Sequence, residues 1–325
     1  MRGIRAGFAV LIASTLGITP ISSATDPVRC APSDAPVSHP RVLHDSRQFR
    51  SRDYPFTVLL PPTYQSSDAR YRVLYLLHGG TGQGHNSWTA RSDLIEFTSA
   101  LAEDQQAIVV MPEGGLAALW ADWPDGVHLF ESFLIQELIP HVDASFRTVP
   151  DRSHRAIAGL SSGALGAALF ASRYPDLFGA LGGFSGGYWL EDPAVPAVAT
   201  ALSAQAILND CGYTPDEVFG PYGLRFTNQE LWRSSSPVNL AARLSDTTVF
   251  LASGTGFPCA GELDDLIADP ASAIERLVPY RHTVRYDRAL SRAGVVHTTR
   301  FGCGIHTWTH WQAALHAFWP LMVAA

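Results

Sequence analysis

Arg155-Ala156-Ile157-Ala158-Gly159-Leu160-Ser161-Ser162-Gly163 joins two unlike patterns, and its reading decides the fold. Arg155 to Leu160 is a short apolar run that predicts a strand. It enters a G-x-S-x-G turn, after which small residues continue with helical spacing through Tyr174. Strand, tight turn and helix together hold a serine hydroxyl exposed at the top of a sheet. The glycines matter because the turn is cramped, and a side chain at either would collide with a neighbouring element. The motif register selects Ser161 rather than Ser162 as the candidate nucleophile. The helix that follows aims its N-terminus at whatever the hydroxyl attacks.

Outward from this turn, apolar strands and amphipathic helices alternate. Phe56 to Leu60 predicts a strand stopped by Pro61-Pro62, and Tyr71 to Leu77 a buried central strand ending at His78-Gly79-Gly80. Ala107 to Met111, Leu181 to Phe184, Val249 to Ser253 and Val295 to Phe301 predict further strands. Helical spacing covers Ser92 to Ala102 with Ser92 as N-cap, Leu129 to Phe146, Ala271 to Ala293, and Thr309 to Trp319. This order implies a mostly parallel central sheet flanked by helices. Functional groups in such sheets gather at the carboxyl ends of the strands. Tyr188 to Ser236 fits the alternation poorly and predicts a helical insertion over the site.

The chain has 325 residues, 46% hydrophobic and 16% charged, which is ample for a large core and argues against disorder. The formal charge is −7, and all 23 basic residues are arginine, scattered along the sequence. No basic run suits nucleic acid or a membrane surface. Arg2 and Arg5 precede an apolar run from Ala6 to Ile18, and Ser22-Ser23-Ala24 offers a cleavage site. Residues 1–24 therefore read as an export signal, 25–40 as a flexible leader, and 41–325 as one catalytic domain. No later stretch predicts an integral membrane segment. In an exported chain the four cysteines favour disulfides. Cys259 and Cys303 both follow predicted strands and are expected to pair, leaving Cys30 with Cys211, although four cysteines allow three connectivities.

A serine needs a base to take its proton, and in this chain order the base comes late. Of the 12 histidines, His306 stands after the last predicted strand and before the last helix. Acyl chemistry also needs two backbone donors for a developing oxyanion. Ser162, after the nucleophile, is one candidate. Gly80, in the His78-Gly79-Gly80-Thr81 loop, is the other, and His78 of the same loop is placed at the substrate. The cysteine spacings do not resemble a zinc site. Glu262, Asp264 and Asp265 read as a solvated loop rather than a calcium site.

The motifs LLPPTY, YRVLYLLHGG, VVMPEGG, WADW, FLIQELIPHVDASF, AIAGLSSGALGAALFASRYPDLFGA and GIHTWTHW together resemble the esterase branch of the α/β-hydrolases. That branch includes esterase D, bacterial feruloyl esterases and the antigen 85 mycolyltransferases. The resemblance runs from about Phe56 to Trp319. It implies the α/β-hydrolase fold, a Ser-His-acid triad, no metal and no cofactor. Fold topology places the acid after Val249 to Ser253, near Asp264 and Asp265. The antigen 85 pattern instead points to Glu275 within Ala273-Ile274-Glu275-Arg276-Leu277-Val278, and this resemblance makes Glu275 the expected acid. Resemblance also places Trp308 at the substrate, whereas Trp120, Trp123, Trp189 and Trp232 read as core.

The expected function is that of a secreted serine esterase cleaving carboxylic acyl esters of small molecules, lipids or glycolipids. The alternative is an antigen 85-like acyltransferase moving an acyl chain to a sugar alcohol. Against it, the antigen 85 pattern has Asp-Gly-Leu-Arg where this chain has His78-Gly79-Gly80-Thr81, so the sugar-holding arginine is absent. A third reading is a non-catalytic binding protein on the same fold.

Overall fold

The computed structural model describes residues 34–80, 83–115, 120–195, 228–268 and 270–325. The proposed signal, most of the leader, Cys30, Thr81, Cys211 and most of the Tyr188–Ser236 insertion lie outside the described residues.

One eight-stranded sheet organises the chain in the order β1-β2-β4-β3-β5-β6-β7-β8. The strands are β1 Val42–Phe49, β2 Arg52–Leu59, β3 Arg72–Leu77, β4 Ala107–Pro112, β5 Arg155–Leu160, β6 Ala180–Phe184, β7 Thr248–Gly254 and β8 His297–Gly302. β1 and β2 form an antiparallel hairpin, and β2 runs antiparallel to β4. Every pairing from β4 through β3, β5, β6 and β7 to β8 is parallel. The parallel strands β3, β4 and β5 are buried almost throughout, which is why they read as unbroken apolar runs. β1 is mostly exposed and lacks apolar alternation, so its sequence carries no strand signal.

The helices are α1 Ser87–Arg91, α2 Leu94–Ser99, α3 Phe130–Phe133, α4 Ile139–Ser145, α5 Ser162–Arg173, α6 Gln229–Ser234, α7 Pro237–Leu240, α8 Leu263–Ala268, α9 Ile274–Leu277, α10 Pro279–Arg292 and α11 Trp308–Val323. Three departures from the periodicity have local causes. Ser92 ends α1 instead of capping a longer helix, and its hydroxyl donates back to the Trp88 carbonyl at 2.6 Å. The expected helix from Leu129 to Phe146 contains a π turn at Leu134–Leu138 just before Pro140. Proline has no N–H for an i→i−4 bond, so the ladder loosens there. Pro279 likewise divides the expected Ala271–Ala293 helix, because the residue before proline avoids the helical region.

Helix α5 carries Leu169 and Phe170 into one face of the sheet, where Tyr75, Ile157, Tyr286 and Leu290 join them. On the other face Trp311, Leu315, Phe318 and Trp319 of α11 pack with Leu74, Ala158 and Phe184. Each fully buried large apolar side chain contributes about 1.5–3 kcal/mol. Phe170 is wholly buried, and truncating it to alanine would cost about 3–5 kcal/mol.

Candidate active site

The end of β5 turns sharply at Ser161, whose backbone sits at φ 54° and ψ −119°. A non-glycine residue there is strained by about 1–3 kcal/mol and needs its surroundings to hold it. Ser161 N–H donates to Phe184 O on β6 at 2.8 Å. The flanking glycines make room for the turn. A Cβ on Gly159 would lie 2.5 Å from the Gly163 carbonyl, and one on Gly163 would overlap the His78 carbonyl oxygen. Helix α5 starts at Ser162, so its first N–H groups have no intrahelical acceptors and face the site.

His306 lies in the loop between β8 and α11. Its Nε2 is 3.1 Å from Ser161 Oγ, and its Nδ1 is 2.6 Å from Glu275 Oε2. The hydrogen-bond pattern assigns the proton to Nδ1, leaving Nε2 as acceptor for the serine hydroxyl. The ring also stands edge-on to Trp311, with centroids 4.8 Å apart. The loop is tied down at several points. Gly304 N–H donates to Phe257 O at 2.7 Å, His306 N–H to Ser272 O at 3.0 Å, and Cys303 is disulfide-bonded to Cys259. This joins the loops that follow β7 and β8, as the strand positions implied.

Glu275 is completely buried. Its Oε1 accepts from Ser253 Oγ at 2.6 Å, completing the chain Ser161–His306–Glu275–Ser253. Burial pushes this carboxyl's pKa up, but hydrogen bonds and charge from His306, with help from Ser253 and Ser185, outweigh it and leave the pKa lowered. The break before Pro279 is what separates the short turn carrying Glu275 from α10. Asp264 and Asp265 instead stand exposed on α8. Glu262 is spent on the Cys259 N–H at 2.7 Å.

The loop after β3 lies against the nucleophile, since a Cβ on Gly79 would come within 3.2 Å of Ser161 Cβ. Gly79 N–H is already taken by Gln83 Oε1 at 2.9 Å, and the next residue, Gly80, is half-buried. His78 is not where it was expected. Its imidazole is 1% exposed, accepts from Gly114 N–H at 2.9 Å and donates to Gly79 O at 2.6 Å. It therefore braces the loop from below and presents no ring atom to a substrate. Trp120 holds the same residue from the other side, with its indole N–H donating to His78 O at 3.1 Å. Trp308 is half-buried, edge-on to Trp88 at 5.3 Å and to Trp311 at 5.4 Å. Trp123 and Trp232 are core, and Trp189 is half-buried beneath Arg285.

A hydroxyl on a strained turn, a neutral imidazole accepting from it, and a buried carboxylate behind can together deliver a nucleophilic alkoxide to a carbonyl. The sequence profile described as "Putative esterase" matches residues 46–321. The chain belongs to the Esterase family. An esterase of Mycobacterium tuberculosis (strain CDC 1551) is 30% identical over 253 residues, covering 77% of this chain and 51% of the relative. This esterase-family chain thus spans about half the length of that relative. The diacylglycerol acyltransferase/mycolyltransferase Ag85A of Mycobacterium bovis (strain BCG) is 29% identical, covering 79% of this chain and 74% of its own. Among solved structures, a ferulic acid esterase overlays with a TM-score of 0.66 at 24% identity, covering 87% of this chain and 97% of that one. Mycobacterium tuberculosis MPT51 overlays with a TM-score of 0.66 at 21% identity, covering 87% and 98%. The shared architecture is the α/β-hydrolase fold.

Four contributors escaped the sequence reading. Ser253 and Gln83 are single polar residues without a motif. Trp311 lies one turn into a helix that reads as core. Gly254 makes room for Gly304, and a Cβ there would overlap the Gly304 carbonyl.

Proposed function

We propose that this esterase-family chain is an exported serine esterase that cleaves carboxylic acyl esters through Ser161, His306 and Glu275. The reading rests on one observation: the Ser161 hydroxyl and the Glu275 carboxylate meet the two opposite nitrogens of His306, at 3.1 Å and 2.6 Å. Ser161 Oγ attacks the ester carbonyl while its proton passes to His306 Nε2. The Ser162 and Gly80 N–H groups receive the oxyanion, each such donor being worth about 10²–10³ in rate. Glu275 fixes the imidazole tautomer and stabilises the imidazolium. His306 then returns its proton to the leaving alcohol, leaving an acyl-Ser161 ester. Water, deprotonated by His306, attacks that ester and releases the acid. Export is supported by the basic, apolar N-terminal pattern and by the Cys259–Cys303 disulfide.

Transfer to a sugar alcohol uses the same steps with a different second acceptor, and the similarity to Ag85A favours considering it. Hydrolysis is preferred because the loop after β3 carries no arginine. The test supplies short, long and feruloyl esters to the purified chain, with and without trehalose. Free acid as the dominant product in both arms is expected. Dominant trehalose ester would replace hydrolysis by transfer, and no turnover of any ester would overturn both.

A further inference from the structure

Four of the arginines that look scattered in sequence gather on one helix face. Arg281, Arg285, Arg288 and Arg292 all lie exposed on α10. At 3.6 residues per turn their spacings of four, three and four residues place them within about 60° of one another on the helix surface. Arg281 is 3.4 Å from Asp192, and Arg285 stacks on the Trp189 ring at 3.7 Å. Arg288 and Arg292 have no ion pair among the described residues, and Asp287, the helix's own acidic residue, is engaged by His297 at 3.0 Å. Several arginines elsewhere are matched, as in Arg47–Glu137, Arg91–Asp34 and Arg155–Asp143. On a protein of net charge −7, this helix face concentrates positive charge.

Apolar side chains continue this face towards the cleft. Leu277 is 63% exposed, and its carbonyl accepts from Arg281 at 3.2 Å. Phe257 is 59% exposed, with the Arg276 guanidinium 4.4 Å from its ring centre. Arg276 and Leu277 directly follow the buried Glu275, so the ridge starts at the rim of the site.

We propose that the arginine face of α10, with Leu277 and Phe257 at its upper end, docks this protein onto an anionic lipid surface. The charge calls for an anionic partner. The exposed leucine and phenylalanine single out a lipid interface, where arginines reach headgroup phosphates and apolar tips enter the acyl boundary. Docked this way, the Ser161 cleft opens beside the layer that would hold amphiphilic acyl esters. That last clause rests on the esterase reading, whereas the docking itself does not.

The experiment is co-sedimentation of the full chain with vesicles, in the absence of any ester substrate. One set is phosphatidylcholine alone, and the other an equal mixture with phosphatidylglycerol. Binding to the mixed vesicles is expected, with loss at high salt, where screening shortens to about 3 Å at 1 M. The double variant Arg288→Gln/Arg292→Gln should bind about thirtyfold more weakly, the loss expected for two cationic contacts at an anionic surface. Leu277→Ser should weaken binding without changing its salt dependence. Hydrolysis of a water-soluble short ester should be unchanged in the double variant. Absent binding to mixed vesicles, equal binding to both vesicle types, or a double variant that binds like the parent would each overturn the proposal. Failure of ester hydrolysis would instead bear on Ser161 and leave docking intact.

Discussion

Glu275 and Ser253 form a buried pair, with the serine hydroxyl 2.6 Å from Oε1 while Oε2 faces His306 Nδ1 at the same distance. Both carboxylate oxygens are thus occupied in a place with no solvent. Glu275→Gln keeps the shape and loses the charge, and it can present an N–H to Nδ1 and favour the wrong tautomer. We expect kcat to fall by about 10⁴-fold. Steady-state kinetics beside a melting curve checks this, and a cooperative unfolding transition shows that the variant still folds.

Ser253→Ala removes one of the donors that keep the Glu275 pKa low. A hydrogen bond to a charged group is worth roughly 1.5–3 kcal/mol, so kcat should fall at least tenfold. The sign with pH follows from the depressed pKa. Stability from the ionised carboxylate is complete above the ordinary value of about 4.3 and is lost as pH falls through the lower folded value. In the variant the folded value lies closer to the ordinary one, so the loss should be smaller and should finish at higher pH. Melting temperature followed downward from neutral pH, in parent and variant, reads the shift.

The Cys259–Cys303 bridge closes a 44-residue separation and anchors the loop three residues before His306. Loop-closure entropy for that length corresponds to about 4 kcal/mol. Cys259→Ser/Cys303→Ser should therefore lower the unfolding free energy by that amount, read as a lower midpoint at unchanged slope in denaturant unfolding. It should also reduce kcat at temperatures where the chain remains folded, because His306 loses a tether.

Gln83 holds the Gly79 N–H, which leaves the loop free to offer the next amide to an oxyanion. Gln83→Met fills similar volume without an acceptor. We expect kcat to drop about tenfold with KM nearly constant, as the loss of roughly one hydrogen bond's positioning would produce. An equal rise in KM at unchanged kcat would show that Gln83 acts on substrate binding instead.

The central sheet was legible because β3, β4 and β5 are buried on both faces and so write continuous apolar runs. The hairpin partner β1 was not, since an exposed edge strand needs no apolar pattern. The meeting of Ser161 and His306, whose side chains lie 3.1 Å apart, was readable from turn chemistry and chain order. Glu275 came only through resemblance, because a helix carboxylate looks the same in sequence whether it faces solvent or a histidine. The break at Val278–Pro279 decides which it is. His78 was misplaced for a related reason: its position after β3 was right, but sequence does not say which way a ring turns, and Gly114 and Trp120 claim it from below.

The most direct test is mass spectrometry of the folded protein after exposure to a fluorophosphonate. The account predicts one adduct, on the peptide carrying Ser161, absent from Ser161→Ala and strongly slowed in His306→Ala. No adduct on the folded chain, or the same labelling in Ser161→Ala, would contradict it.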